Sequence, residues 1–179
     1  SAIDEFKVRW ASNFAVKLDN AALGATSGPF TSVYASAAPT IATGGALTYE
    51  DLVSAVGDLE AGDYGDDLIV IAHPAFAMDL RNLKDANGDR VVADPLGAGV
   101  PTVFGHELRF SKGAVASATA TDRPTGNKLL VVGSKRNLIL GVRDGVESQL
   151  SDQPCWETDE VELKMRARRG FVIADATAF

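Results

Sequence analysis

Apolar residues at Ile3, Phe6, Trp10, Phe14, Leu18 and Ala21 recur at steps of three and four. That spacing places them on one face of a helix, which ends near Gly24. Residues 24–46 are small, polar and interrupted by Gly and Pro, which predicts a long connection with a short strand at 31–34. Thr48 has an N-cap side chain, and Asp51 complements the start of the helix that follows. Leu52, Val53, Val56 and Leu59 form its apolar stripe, and Gly62 stops it.

Residues 68–72 are a continuous, β-branched apolar run between Asp66-Asp67 and His73-Pro74. Such a run predicts a strand covered on both faces. Pro74 suits the first turn of a further helix carrying Phe76, Leu80 and Leu83. Asn87-Gly88 signals a turn, and 94–102 reads as a loop. Residues 103–110 predict a strand, and the Ser-, Ala-, Thr- and Gly-rich stretch 111–127 an exposed connection. Two more strands follow at 129–132 and 138–142, then a tight hairpin at Asp144-Gly145 into 146–150, and a turn at 151–157. From Glu160 the chain alternates until Gly170 breaks the pattern, and 171–174 is apolar again. With helices early, strands mostly late and no internal repeat, the fold class is α+β.

The 179 residues suggest one domain or two small ones, long enough to bury a core without a disulfide or metal staple. Opening on Ser1 with the helical pattern already begun, the chain reads as processed or truncated. No signal peptide and no membrane-length apolar run is visible. A formal charge of −7 makes a protein that grips nucleic acid a poor first reading. The single Cys155 excludes an internal disulfide, and with His73 and His106 the only histidines, no structural zinc site can be assembled.

Other chemical signals are weak. Asp85-Ala86-Asn87-Gly88-Asp89 has the flavour of a calcium loop, but its twelfth position is Leu96 where a bidentate Glu is needed, so it reads as a turn. Gly97-Ala98-Gly99 lacks the third glycine and the helix of a phosphate loop. His73, at a strand end before a proline, reads as a cap before it reads as a catalytic group. His106 reads as a strand or turn residue, Asp63, Asp66 and Asp67 as a solvated acidic loop, and Cys155 as structural. No catalytic residue, cofactor or metal is assigned.

Residues 160–169 carry the most information. Val161, Leu163, Met165 and Ala167 share one face, and Glu160, Glu162, Lys164, Arg166 and Arg168 the other. Same-face residues on a strand lie about 7 Å apart, so the charged face spans roughly 25 Å. It is acidic first and basic afterwards, hence self-complementary, and repeated head-to-tail pairing of such faces builds rings or shells. The other reading is a solvated face with weak cross-strand ion pairs.

The order of four stretches resembles the major capsid protein of tailed phages and prophages, with the HK97-like fold. They are Ala46-Leu47-Thr48-Tyr49-Glu50-Asp51-Leu52, Leu68-Ile69-Val70-Ile71-Ala72-His73-Pro74, Leu80-Arg81-Asn82-Leu83-Lys84-Asp85-Ala86-Asn87-Gly88, and Val161-Glu162-Leu163-Lys164-Met165-Arg166-Ala167-Arg168-Arg169-Gly170-Phe171-Val172-Ile173 with its tail. The resemblance covers nearly the whole chain, as the C-terminal part of such a protein without its N-terminal arm and extended hairpin. It implies a partial peripheral subdomain (1–45 and 141–170) and an axial one (46–140 and 171–179). It also implies a non-enzymatic subunit that associates with itself, as pentamers and hexamers, into an icosahedral virion shell around viral DNA. A scaffolding protein and a maturation protease would be partners, nucleic acid would not be read by sequence, no membrane would be involved, and synthesis would be in the bacterial cytoplasm. Some members crosslink neighbours through a Lys–Asn bond assisted by a Glu. Here the Asn position falls near Val161 and the Glu position near Arg168, which implies no such crosslink. An encapsulin-like compartment shell is the neighbouring alternative, and a small enzyme or binding domain using the strand end near His73 is the alternative of another class.

Overall fold

The computed structural model describes residues 2–36, 47–62, 64–90, 92–93 (backbone), 100–117, 126–151 and 162–179. Helix α1 (Ala2–Leu23) contains the predicted stripe, but only its last turn is buried. Trp10, Phe14 and Leu18 are half-buried, whereas Ile3 and Phe6 face solvent. The strand expected at 31–34 is instead one helical turn, α2 (Val33–Ser36). Ser32 decides this: its Oγ accepts the Ala35 N–H at 3.2 Å, a local side-chain cap that overrides the β-branched residues beside it.

Helix α3 (Tyr49–Ala61) begins as expected. Thr48 Oγ1 accepts the Asp51 N–H at 3.3 Å, and Asp51 Oδ2 accepts the Thr48 N–H at 2.9 Å, a reciprocal capping box. Strand β1 (Leu68–Ala72) follows, then a 3-10 turn at Pro74–Phe76 and helix α4 (Ala77–Asn82). Asp85 Oδ1 accepts the N–H groups of Asn87 and Asp89, so this segment is the turn that its sequence suggested.

The strand expected at 103–110 is a hairpin. After β2 (Val92–Ala93), strand β3 (Thr102–Val103) turns through Phe104 (φ 50°) and Gly105 (φ 86°) into β4 (His106–Phe110). Two consecutive positive φ values are the signature of the tight turn that matches strand twist. The connection expected to be exposed at 111–127 is partly interior. Ala114 and Val115 are buried, and two short strands, β5 (Val115–Ala116) and β6 (Asn127–Lys128), pair there. Small side chains at this point serve close packing against α1 rather than solubility. A Cβ on Gly113 would collide with the Asp19 Cβ and the Asn20 N.

Strand β7 (Leu130–Ser134) completes a sheet of order β2-β3-β4-β1-β7, with β1 parallel to β4 and antiparallel to β7. Leu68, Val70 and Ala72 face one core with Leu52, Val56 and Leu59 of α3. Ile71 and Val131 face a second core, where Leu23, Val33, Ala114, Ala178 and Phe179 meet. The central strand is therefore covered on both faces, as its sequence required.

The last two strands form a separate ribbon of β8 (Leu138–Ser151) and β9 (Glu162–Ile173). No hairpin forms at Asp144-Gly145. Strand β8 runs through it, and the pairing shifts register between Val142 and Asp144 and again between Asp144 and Glu147. Fourteen residues are matched to twelve, and two bulges absorb the surplus. Nor does Gly170 end β9, because it pairs with Gly141 in the middle of the ladder. Two facing glycines weaken strand packing at that point without interrupting the hydrogen bonds.

Candidate assembly surface

The ribbon places the predicted charged residues on one face. Exposure alternates along β9, with Glu162, Lys164, Arg166 and Arg168 outward and Leu163, Met165 and Ala167 half-buried. Glu160 and Val161 lie outside the described residues, as do Cys155 and Asp63. Opposite them, β8 presents Ser151 to Glu162, Gln149 to Lys164, Glu147 to Arg166 and Asp144 to Arg168. Arg166 Nε donates to Glu147 Oε2 at 2.7 Å, and Arg168 Nε lies 3.6 Å from Asp144 Oδ2. All four side chains are about half exposed, so each pair stabilises the ribbon by about 0–1 kcal/mol. Glu162 and Lys164 have no ion-pair partner among the described residues.

Asp144 and Glu147 are functional candidates that sequence reasoning missed. Their sequence suggests a turn and the strand after it, with nothing to pair them with the closing strand. The partial signal is the mirror order of charges, acids at 144 and 147 and bases at 166 and 168, but their spacings of three and two match only across the bulge between Asp144 and Glu147.

The same outward face ends in an apolar pair. Ile139 and Val172 oppose each other and are 53% and 60% exposed. Cross-strand apolar pairs of this kind are normally covered. The described ribbon has only two strands, and a two-stranded ribbon is marginal in water without a further strand or packing partner.

On its inward face the ribbon base leans toward α1. Phe30 meets Phe171 with ring centroids 6.2 Å apart. Beside this contact, between α1 and the ribbon, opens a groove of about 880 Å³ floored by Phe14, Leu18, Phe30, Val142 and Ala167.

The two histidines do structural work. His73 Nδ1 accepts the Ala75 N–H at 3.1 Å and caps the 3-10 turn. Partial burial, reinforced by Lys128, holds its pKa below the usual histidine value, so the ring stays neutral and can accept. His106 Nε2 lies 3.3 Å from Glu60 Oε1 and ties β4 to α3. Of the acidic trio, Asp67 pairs with Arg136. Among the described residues no group of three His, Cys, Asp or Glu side chains is placed to hold a metal ion, and no helix is long and apolar enough to cross a membrane.

The profile of the phage capsid family matches residues 4–179, and the chain belongs to that family. Its fold is the HK97-like shell fold. The chain is similar to the capsid of the native GTA particle (20% identity, TM-score 0.67), covering 98% of this chain and 63% of that one. It is similar to a chain of Gordonia phage Cozz (18% identity, TM-score 0.67; 99% and 61% covered). It also resembles one from Mycobacterium phage Bobi (21% identity, TM-score 0.62; 91% and 56% covered). It thus spans less than two thirds of each of these chains. No curated protein matches it.

Proposed function

We propose that this chain is a structural subunit of a phage shell and that its activity is self-association. The observation that carries the reading, beside family membership, is the β8–β9 ribbon. Its pairing alone extends roughly 40 Å, and its outward face offers charges at Glu162 and Lys164 with no ion-pair partner among the described residues and an exposed apolar pair at Ile139 and Val172.

The interface comprises Glu160, Glu162, Lys164, Arg166 and Arg168. Glu162 and Lys164 engage a neighbouring copy directly, while Arg166 and Arg168 exchange their partners in the same chain for a neighbour's carboxylates. Residues 46–140 and 171–179 make the axial subdomain, and 1–45 with 141–170 the peripheral one. The second core, where Leu23 meets Phe179, is the joint between them. The subunits form pentamers and hexamers of an icosahedral virion shell, made in the bacterial cytoplasm with scaffolding protein and maturation protease as partners. A net charge of −7 suits a wall that encloses DNA without gripping it. With Val161 and Arg168 at the crosslinking positions, the subunits remain covalently separate, so denaturing mass spectrometry of particles returns monomer mass.

The test is negative-stain electron microscopy of the protein expressed from its complete gene, alone and with scaffolding protein. Closed shells, rings or sheets support the reading. Dispersed monomers under both conditions contradict it.

A further inference from the structure

The groove between α1 and the ribbon base is lined by Lys17, Arg143, Arg168 and Arg169 and by no carboxylate. In a chain with 24 acidic and 17 basic residues, four cations without an acid depart from the average surface. Arg168 has Asp144 nearby at 3.6 Å. Arg169 donates only to the backbone carbonyls of Asp144 and Arg168, and Arg143 has no ion-pair partner among the described residues. Among the described residues, two guanidinium charges therefore lack a carboxylate partner above an apolar floor of Phe14, Leu18, Phe30, Val142 and Ala167. A phosphate backbone would answer the charge and leave the floor wet. A peptide carrying both carboxylates and a large apolar side chain answers both.

The chain contains such a peptide. Residues 152–160 read Asp-Gln-Pro-Cys-Trp-Glu-Thr-Asp-Glu, with four carboxylates, no cation and Trp156. They join β8 at Ser151 to β9 at Glu162, the end of the ribbon remote from the groove. From Glu162 to Arg169 the strand measures roughly 23 Å. A ten-residue connection held at both ends reaches back at most about 17 Å, to the near edge of the groove at Ala167 but not along the strand to Arg169.

We propose that the groove receives residues 152–160 of a second copy of this chain. Trp156 enters the apolar floor, and the flanking carboxylates meet Arg143 and Arg169. The contact joins the far end of one ribbon to the base of the next, a heterologous contact that propagates into rings or shells. It rests on the reading of the chain as a self-associating subunit, and it names the receiving surface.

The test is fluorescence anisotropy of a labelled peptide of residues 150–162 titrated into the unassembled protein. Saturable binding is expected, weakening with salt. It should fall about tenfold or more with Arg143→Glu in the protein or Trp156→Ala in the peptide, as removal of a central anchor does. Absence of saturable binding overturns the proposal. So does binding that ignores Trp156 and is displaced by a single-stranded oligonucleotide of equal charge, which would mark a site for phosphate. Because the peptide is read on unassembled protein, either failure leaves the shell reading standing. Failure to form particles despite peptide binding counts against the shell reading alone.

Discussion

The Phe179 ring occupies the space that a Cβ at position 133 would need. Gly133 lies in β7 beside Ile69 of β1, and its missing side chain lets the last residue of the chain lie flat on the sheet and enter the second core. Gly133→Ala should destabilise the fold by about 1–3 kcal/mol through overpacking. Phe179→Ala should cost about 3 kcal/mol by opening a cavity. Together they should cost less than their sum, because the methyl added at position 133 fills part of the void. Urea midpoints of the two single variants and the double variant measure this, and strict additivity would show that the two positions do not share the space.

Asn20 fastens the end of α1 to the sheet. Fully buried, its Nδ2 donates to the carbonyls of Gly113 (3.1 Å) and Val115 (2.7 Å), and its Oδ1 accepts from Ser117 Oγ (2.9 Å). Asn20→Ala should cost about 2–4 kcal/mol, since it strands buried polar partners. Asn20→Asp should cost more, because a carboxylate oxygen would face carbonyls that need a donor. Denaturant unfolding of both variants checks the ranking, and a smaller loss for Asn20→Asp than for Asn20→Ala would mean that volume rather than donor chemistry matters.

Asp175 gives stability a pH dependence. Tyr64 Oη donates to its Oδ2 at 2.6 Å, and Thr177 donates to its Oδ1 through both Oγ1 and N. These bonds, the tyrosine's above all, hold its pKa below the usual aspartate value. With the folded-state pKa below the unfolded one, the contribution is complete above about pH 4 and is lost as pH falls through the folded-state value. Asp175→Asn should therefore be less stable than the wild type at pH 7, with the gap closing in acid as pH falls below the usual aspartate value and through the lower folded-state one. Urea midpoints across that range check the sign, and a gap independent of pH would remove the carboxylate's charge from the account.

Local chemistry was legible in the sequence where it acts locally. Thr48 and Asp51 cap one another within a single turn, and residues 68–72 carry their burial in their own composition. Where a distant segment decides, the same signals mislead. Asp144-Gly145 is a turn dipeptide, yet here β9 supplies partners on both sides of it, and the surplus becomes bulges. Ala114 and Ser117 look like solvent-facing small residues until Gly24 and Gly113 let α1 approach them. The charged face of β9 was readable as a face because its alternation is intrinsic to a strand. Its partners Glu147 and Asp144 were not, because cross-strand register is set by bulges that no single segment encodes.

The paired arginines allow internal ribbon chemistry to be separated from assembly. Reversing Arg166 and Arg168 to Glu sets like charges against Glu147 and Asp144 as well as against any neighbour. Adding Glu147→Arg and Asp144→Arg restores both internal pairs, with a change in monomer stability within about 1 kcal/mol. Circular dichroism and urea unfolding of the fourfold variant should match the wild type.

The decisive measurement is electron microscopy of that fourfold variant, expressed from the complete gene beside the wild type. The account predicts a folded subunit that forms no regular particles, because the outward face has been reordered relative to its neighbour. Normal shells from the swapped ribbon would contradict the claim that this face joins subunits and would reduce its charges to a solvated surface with internal ion pairs.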